Sequence, residues 1–132
     1  MKRFSSLSVL MCVLLGGCGV SVPEAQHHVD ETPSIYPDYV GVTIPSNVAP
    51  LRFMVADDIE EAVAVLLAGQ CGLVEKADEG KFLFSEKDWN RLVEAAKGDS
   101  ISVNVYEKKS GEWFAYRSFC IYVAEEPMDA YL

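Results

Sequence analysis

The chain has 132 residues, half of them hydrophobic, with 20 acidic residues against 11 basic ones and a formal net charge of −9. That length holds one domain. The acid surplus excludes a nucleic-acid partner, which rewards clustered Lys and Arg, and it keeps an exported domain soluble.

The first element is a targeting segment. Lys2 and Arg3 supply a positive start, Leu7 to Leu15 supply a short apolar stretch, and Leu15-Gly16-Gly17-Cys18 closes it. The stretch is too short to span a bilayer as a helix, which takes about 20 residues. A secretory signal has this layout. The aliphatic residue, two glycines and cysteine resemble the lipobox of bacterial lipoproteins, with cleavage before Cys18 and a diacylglycerol on its thiol. Cys12 follows Val9-Leu10-Met11 and lacks the small residues. Acyl chains give a stable anchor because each buried methylene contributes about 0.8 kcal/mol. Residues 1–17 are therefore expected to be a signal peptide. Removing Lys2 and Arg3 leaves nine basic residues against twenty acidic ones, a net charge of −11. Gly19 carries no acidic retention signal, so the expected address is the cell envelope, by default the outer membrane facing the periplasm.

Residues 18–34 read as a tether. They hold Pro23 and Pro33, several polar residues and no apolar periodicity, and a polar linker lets a domain stand off its anchor. His27 and His28 lie in it beside Asp30 and Glu31. Adjacent histidines in such a segment are expected to be solvated, and no metal site is assigned to them.

The domain is expected over 35–132. Pro37, Pro45 and Pro50 forbid helix in its opening and suit edge strands or extended crossings. Ala49 to Val55 reads as a first strand. Asp57-Asp58-Ile59-Glu60-Glu61 resembles a helix start, but Val63, Val65 and Leu67 alternate, and the reading taken for 62–68 is a buried strand. A hairpin around Asp78-Glu79-Gly80 follows Val74, with Lys81 to Phe84 as its return. Over 86–97 a helix is predicted: Ser85 is an N-cap with Asp88 at the third helical position. Trp89, Leu92, Val93 and Ala96 make one apolar face, and Gly98 ends it. Ile101, Val103 and Val105 alternate with polar partners, as in a strand with one buried face. Lys109-Ser110-Gly111-Glu112 turns the chain, and Trp113 to Tyr116 and Phe119 to Ala124 return. The sum is a mainly β domain, a β-sandwich of immunoglobulin-like kind with one helix.

Catalytic signatures are missing. The sequence has no G-x-S-x-G, H-E-x-x-H or phosphate-cradling glycine loop, and both histidines fall in the tether. The acid pairs Asp57-Asp58, Glu60-Glu61, Asp78-Glu79 and Glu125-Glu126 read as solvated faces rather than carboxyls set across a cleft. Cys71 and Cys120 are the two cysteines left in the domain. An exported chain invites a disulfide between them, while two buried thiols fit equally well. With no C-x-x-C, they do not make a metal site, and no cofactor is expected.

Three stretches taken together resemble a known family. They are Ile35 to Tyr39 with Val42 to Phe53, then Gly111-Glu112-Trp113 with Tyr116 and Phe119, then Glu126-Pro127-Met128-Asp129-Ala130-Tyr131. They look like the amino-terminal region of TolB-like β-propeller lipoproteins of the bacterial envelope. The resemblance implies a small β-rich module that precedes a propeller, followed in longer members by a C-x-x-C-H haem-attachment-like motif. This chain has neither propeller repeats nor C-x-x-C-H, so no propeller or redox role carries over. The expectation is a non-catalytic, membrane-anchored binding or scaffolding module with an envelope protein as partner. The alternatives are a truncated remnant of such a lipoprotein, or a carbohydrate-binding accessory domain with Tyr36, Tyr39 or Tyr116 stacking on sugars.

Overall fold

The computed structural model describes residues 21–56 and 58–127. Nine strands and one helix follow in order: β1 (His27–Val29), β2 (Thr43–Ile44), β3 (Arg52–Met54), β4 (Glu61–Ala68), β5 (Cys71–Lys76), β6 (Lys81–Leu83), α1 (Glu86–Ala96), β7 (Ser100–Lys109), β8 (Glu112–Tyr116) and β9 (Phe119–Val123). Among the described residues the protein is mainly β with a single helix. Its two sheets share one core, an arrangement compatible with a β-sandwich.

Strand β7 is the spine of the large sheet. One edge pairs antiparallel with β4, which pairs onward with β5. The other edge pairs first with β9 and then with β8. These two are one return strand broken by a bulge: three residues, Tyr116 to Ser118, stand between the pairs Tyr106↔Ala115 and Val103↔Phe119, opposite only two on β7. An extra residue of this kind bends a strand and raises its twist. β1 pairs parallel with β8, and β2 pairs parallel with β9.

Register sorts the side chains. Ala62, Ala64, Leu66, Leu73, Ile101, Val103, Val105, Phe119, Ile121 and Val123 share the inner face and are buried. The strand reading of 62–68 holds, but the face that sinks into the core is Ala62, Ala64, Leu66 and Ala68, not the alternating Val63, Val65 and Leu67, whose last member is exposed; the acids before it do not start a helix. Ser110 and Gly111, both at positive φ, join β7 to β8. That is the geometry of a two-residue hairpin turn whose twist matches its strands.

The inner face is covered by α1 and the small sheet β3–β6. Ser85 Oγ accepts from the Asp88 N–H at 3.2 Å, as an N-cap does, while the Asp88 carboxylate pairs with Arg91 at 3.0 Å instead of closing a capping box. Trp89, Leu92, Val93 and Ala96 are the buried helix residues. Trp89 is fully buried and donates its Nε1 to the Val48 carbonyl at 3.2 Å, tying the helix to the proline-rich loop.

Two expectations are corrected. Lys81–Leu83 does not return along β5. Only the Asp78↔Lys81 bridge remains of that hairpin, and β6 crosses to pair with β3. The cause is Phe82, fully buried with its ring 4.9 Å from that of Phe53. The second correction concerns the tether: within 18–34, residues 27–29 are a sheet strand. Gln26 donates its N–H to the Trp113 carbonyl, and the Arg117 N–H donates to the Glu31 carbonyl. The Trp113 N–H reaches Gln26 Oε1 at 2.7 Å. The exposed carbonyls and amides of β8 are thus capped by the segment read as linker.

Trp89 gives a direct test of this packing. Trp89→Ala should lower stability by about 3–5 kcal/mol, the usual range for emptying a buried aromatic site. Urea denaturation followed by circular dichroism measures it, and a loss below about 1 kcal/mol would contradict the burial described.

Candidate docking face

The small sheet has two faces because a strand alternates its side chains. Phe53 and Phe82 are direct partners and point into the core. Their neighbours must then point outward: Arg52 lies opposite Leu83, and Met54 opposite Lys81. Tyr36 extends the row, since its backbone N–H and carbonyl both pair with Met54, at 3.0 and 2.9 Å. The Tyr36–Pro37 peptide is cis. Tyr36 is 73% exposed, Leu83 49% and Met54 38%. Together with Pro37, Arg52 and Lys81 they line a shallow depression of about 360 Å³. Three large apolar side chains thus share one small exposed face, flanked by two cations.

This face continues into a groove of about 490 Å³ at the ends of the two sheets. Met54 and Lys81 line both. The groove adds Ile59, Glu60, Glu61 and Lys76. Glu61 sits between Lys76 at 3.5 Å and Lys108 at 3.4 Å. The hydrogen bond from Lys108, more than any other contact, holds its carboxyl below the usual glutamate value.

A second polar cluster lies where the inner face of β7 and β8 runs out. Glu107 is buried, with Lys109 4.0 Å from its carboxylate. Burial pushes its pKa up; the Tyr116 hydroxyl and Lys109 oppose that push, and Asp58 adds to it. Lys109 lies over two of the three aromatic rings of β8, 5.5 Å from Phe114 and 5.7 Å from Tyr116, and bonding to Tyr116 is the chief reason its pKa is raised. His27 stacks on Phe114 at 4.6 Å and bonds Glu112 at 2.8 Å. The cluster pins β1 to the sheet. It brings a carboxyl, a phenol and an ammonium together, but no serine or cysteine nucleophile lies among these contacts.

The residues singled out by sequence are scattered. Cys18 lies outside the described residues, as do Asp57 and Met128 to Leu132. Cys71 and Cys120 are free thiols. Cys71 is on β5 and Cys120 on β9, with β4 and β7 between them. Cys71 shares the inner face with Ala68, whereas Cys120 shares the outer face with Ser102 and Leu67. A disulfide needs Cα atoms within about 7 Å, so this fold does not join them. His27 and His28 are exposed, as expected, but His27 is not loose, being held by Phe114 and Glu112. Of the three tyrosines named for stacking, Tyr39 packs edge-on against Phe53 and Tyr116 lies beneath Lys109, leaving Tyr36 with an open ring. Glu60 accepts from the Gly111 N–H and Glu61 is ion-paired, so this acid pair serves the fold.

Arg52, Met54, Lys81 and Leu83 were not singled out in sequence. The signal was present as two matching triplets, Arg52-Phe53-Met54 and Lys81-Phe82-Leu83, each a phenylalanine between outward neighbours. Among the described residues no group of three or more His, Cys, Asp or Glu side chains is placed to hold a metal ion. No family model, curated protein or solved structure matches the chain.

Glu107 yields a pH prediction. Its folded pKa lies above the unfolded value, so the folded state holds the extra proton as pH rises between the two. Stability from this group is full below the unfolded value and falls as pH climbs through the folded one. Glu107→Gln cannot ionise and should lose that fall. The variant should gain on the wild type as pH rises above the unfolded glutamate value of about 4.3, measured as the difference in urea midpoints. A difference that stays flat or reverses as pH rises above that value refutes the assignment.

Proposed function

We propose that this protein is a lipid-anchored envelope lipoprotein whose domain acts as a non-catalytic binding or scaffolding module, and that it binds through the face made by Tyr36, Met54 and Leu83. The observation that carries this reading is that exposed apolar face, flanked by Arg52 and Lys81. The residues that resemble TolB-like lipoproteins begin at Ile35 and include Tyr36, and the reading puts the partner in the same envelope. Cys18 supplies the anchor.

Two experiments test the two halves. Cys18→Ser should shift the protein from the membrane fraction to the soluble fraction, with loss of incorporated radiolabelled palmitate. Unchanged membrane retention and labelling would refute the anchor. For the face, cross-linking in cells followed by capture from detergent-solubilised envelope should recover a partner that Tyr36→Ala with Leu83→Ser loses, while the variant keeps its circular dichroism spectrum. A partner retained equally by the variant, or none above background, rejects the docking face.

A second reading follows from the open ring of Tyr36. An exposed tyrosine beside polar side chains suits stacking on a sugar, which makes the domain a carbohydrate-binding accessory. Binding on a glycan array that Tyr36→Ala abolishes would favour it over the protein-docking reading.

A further inference from the structure

The distribution of ion pairs narrows the occupant of this face. Lys2 and Arg3 aside, the chain has nine basic residues. Six of them stand within 4 Å of a carboxylate: Lys76, Lys97, Lys108, Lys109, Arg91 and Arg117. Arg52, Lys81 and Lys87 make no ion pair among the described residues. Two of these three flank the same apolar patch. Acidic residues outnumber basic ones about two to one in this sequence, so cations left unmatched should be scarce, and their pairing around Tyr36, Met54 and Leu83 is not explained by the domain's own stability. Asp78 and Glu79 sit on the turn just before Lys81, yet neither approaches it as an ion partner. Asp38, two residues past Tyr36, accepts from the Val40 N–H at 3.1 Å.

Resting on the docking-face reading, we propose that the face recognises an acidic, apolar-studded protein segment, whose carboxylates meet Arg52 and Lys81 and whose apolar side chains cover Tyr36, Met54 and Leu83. Arg52 and Lys81 are diagonal across the β3–β6 pair, about 7–8 Å apart at the backbone. Alternate side chains of an extended segment repeat at nearly the same distance, about 6.6–6.8 Å. Such a segment presents two acids to the two cations in one register. A neutral sugar has no use for paired cations. An anionic membrane surface is disfavoured, because lipid recognition of this kind draws on about 4–8 clustered basic residues, and the acidic remainder of the domain repels it.

The test uses the purified full chain in neutral detergent and three short synthetic peptides. One alternates glutamate with leucine and phenylalanine; its twins carry glutamine or lysine in place of each glutamate. Binding is followed by fluorescence anisotropy. The glutamate peptide should bind about tenfold more tightly than the glutamine twin at low salt, and the gap should close at high salt as screening shortens the interaction range. Arg52→Glu with Lys81→Glu should reverse the preference toward the lysine twin, while Lys87→Glu leaves it unchanged. Equal binding of the glutamate and glutamine peptides overturns the charge selectivity but leaves the docking face standing if Tyr36→Ala weakens both. Binding to none of them overturns the inference, and the capture experiment then judges the docking face separately. Sedimentation with phosphatidylglycerol vesicles that Arg52→Glu with Lys81→Glu abolishes, in place of peptide binding, would assign the cations to a lipid surface and overturn it as well.

Discussion

The contact between Phe53 and Phe82 governs the accessible surface of this domain. A two-stranded sheet of three-residue strands is not stable by itself. It persists because these two rings, 4.9 Å apart, sink into the core and meet Phe84, whose ring is 5.8 Å from Trp89 on the helix. Fixing Phe53 and Phe82 inward leaves no freedom for their neighbours. A slip of one residue in either strand would bury Arg52 or Lys81 and expose a phenylalanine. The same packing that stabilises the core therefore dictates that Arg52, Met54, Lys81 and Leu83 face water together. The proposed docking face is the reverse side of a core contact, and the register that buries Phe53 and Phe82 also sets its strand residues.

The opposite end of the large sheet solves a different problem. The helix and small sheet cover the middle of the inner face, and the apolar alternation of β7 carries on to Glu107 beyond them. A buried carboxyl there is tolerable because Tyr116 and Lys109 supply hydrogen bonding and charge, and unpaired burial would be far more costly. Phe114 and Tyr116 then give Lys109 two aromatic faces, and His27 closes the stack from β1. Among the described residues no buried side-chain nitrogen or oxygen lacks a partner. This accounts for a perturbed glutamate without invoking catalysis.

What the sequence revealed tracks how local the determinants are. The helix was legible because Ser85, the 89/92/93/96 stripe and Gly98 all act within a few residues of one another. β4 and β7 were legible because their alternation is long. β6 was assigned to the wrong neighbour because its partner choice depends on Phe82 meeting Phe53, 29 positions earlier in the chain, and no local pattern encodes that. β1 was missed for a related reason: His27-His28-Val29 has no apolar period of its own and becomes a strand only because β8 offers an unpaired edge. The free thiols follow from topology too, since two cysteines in apolar surroundings say nothing about which sheet face each occupies. The docking face was half legible. Tyr36 stood out as an aromatic among prolines, but its cationic neighbours come from two distant triplets that only the sheet brings together.

The docking of β1 also changes the reach of the anchor. With Cys18 lipidated, a tether running to residue 34 would let the domain range about 55–60 Å from the bilayer at full extension. Gln26 is already fastened to Trp113, so only the residues between Cys18 and Gln26 remain to extend, and they span at most about 28 Å. That is close to the diameter of a domain of this size. Under the proposed lipidation, the proposed docking face would be confined to a layer next to the membrane. The proposed partner would then have to bring its acidic segment into that layer, either as another anchored protein or as one that contacts the same surface. In that proposed arrangement, confinement would raise the effective concentration of such a partner, so a small face could serve where free diffusion would demand a larger one.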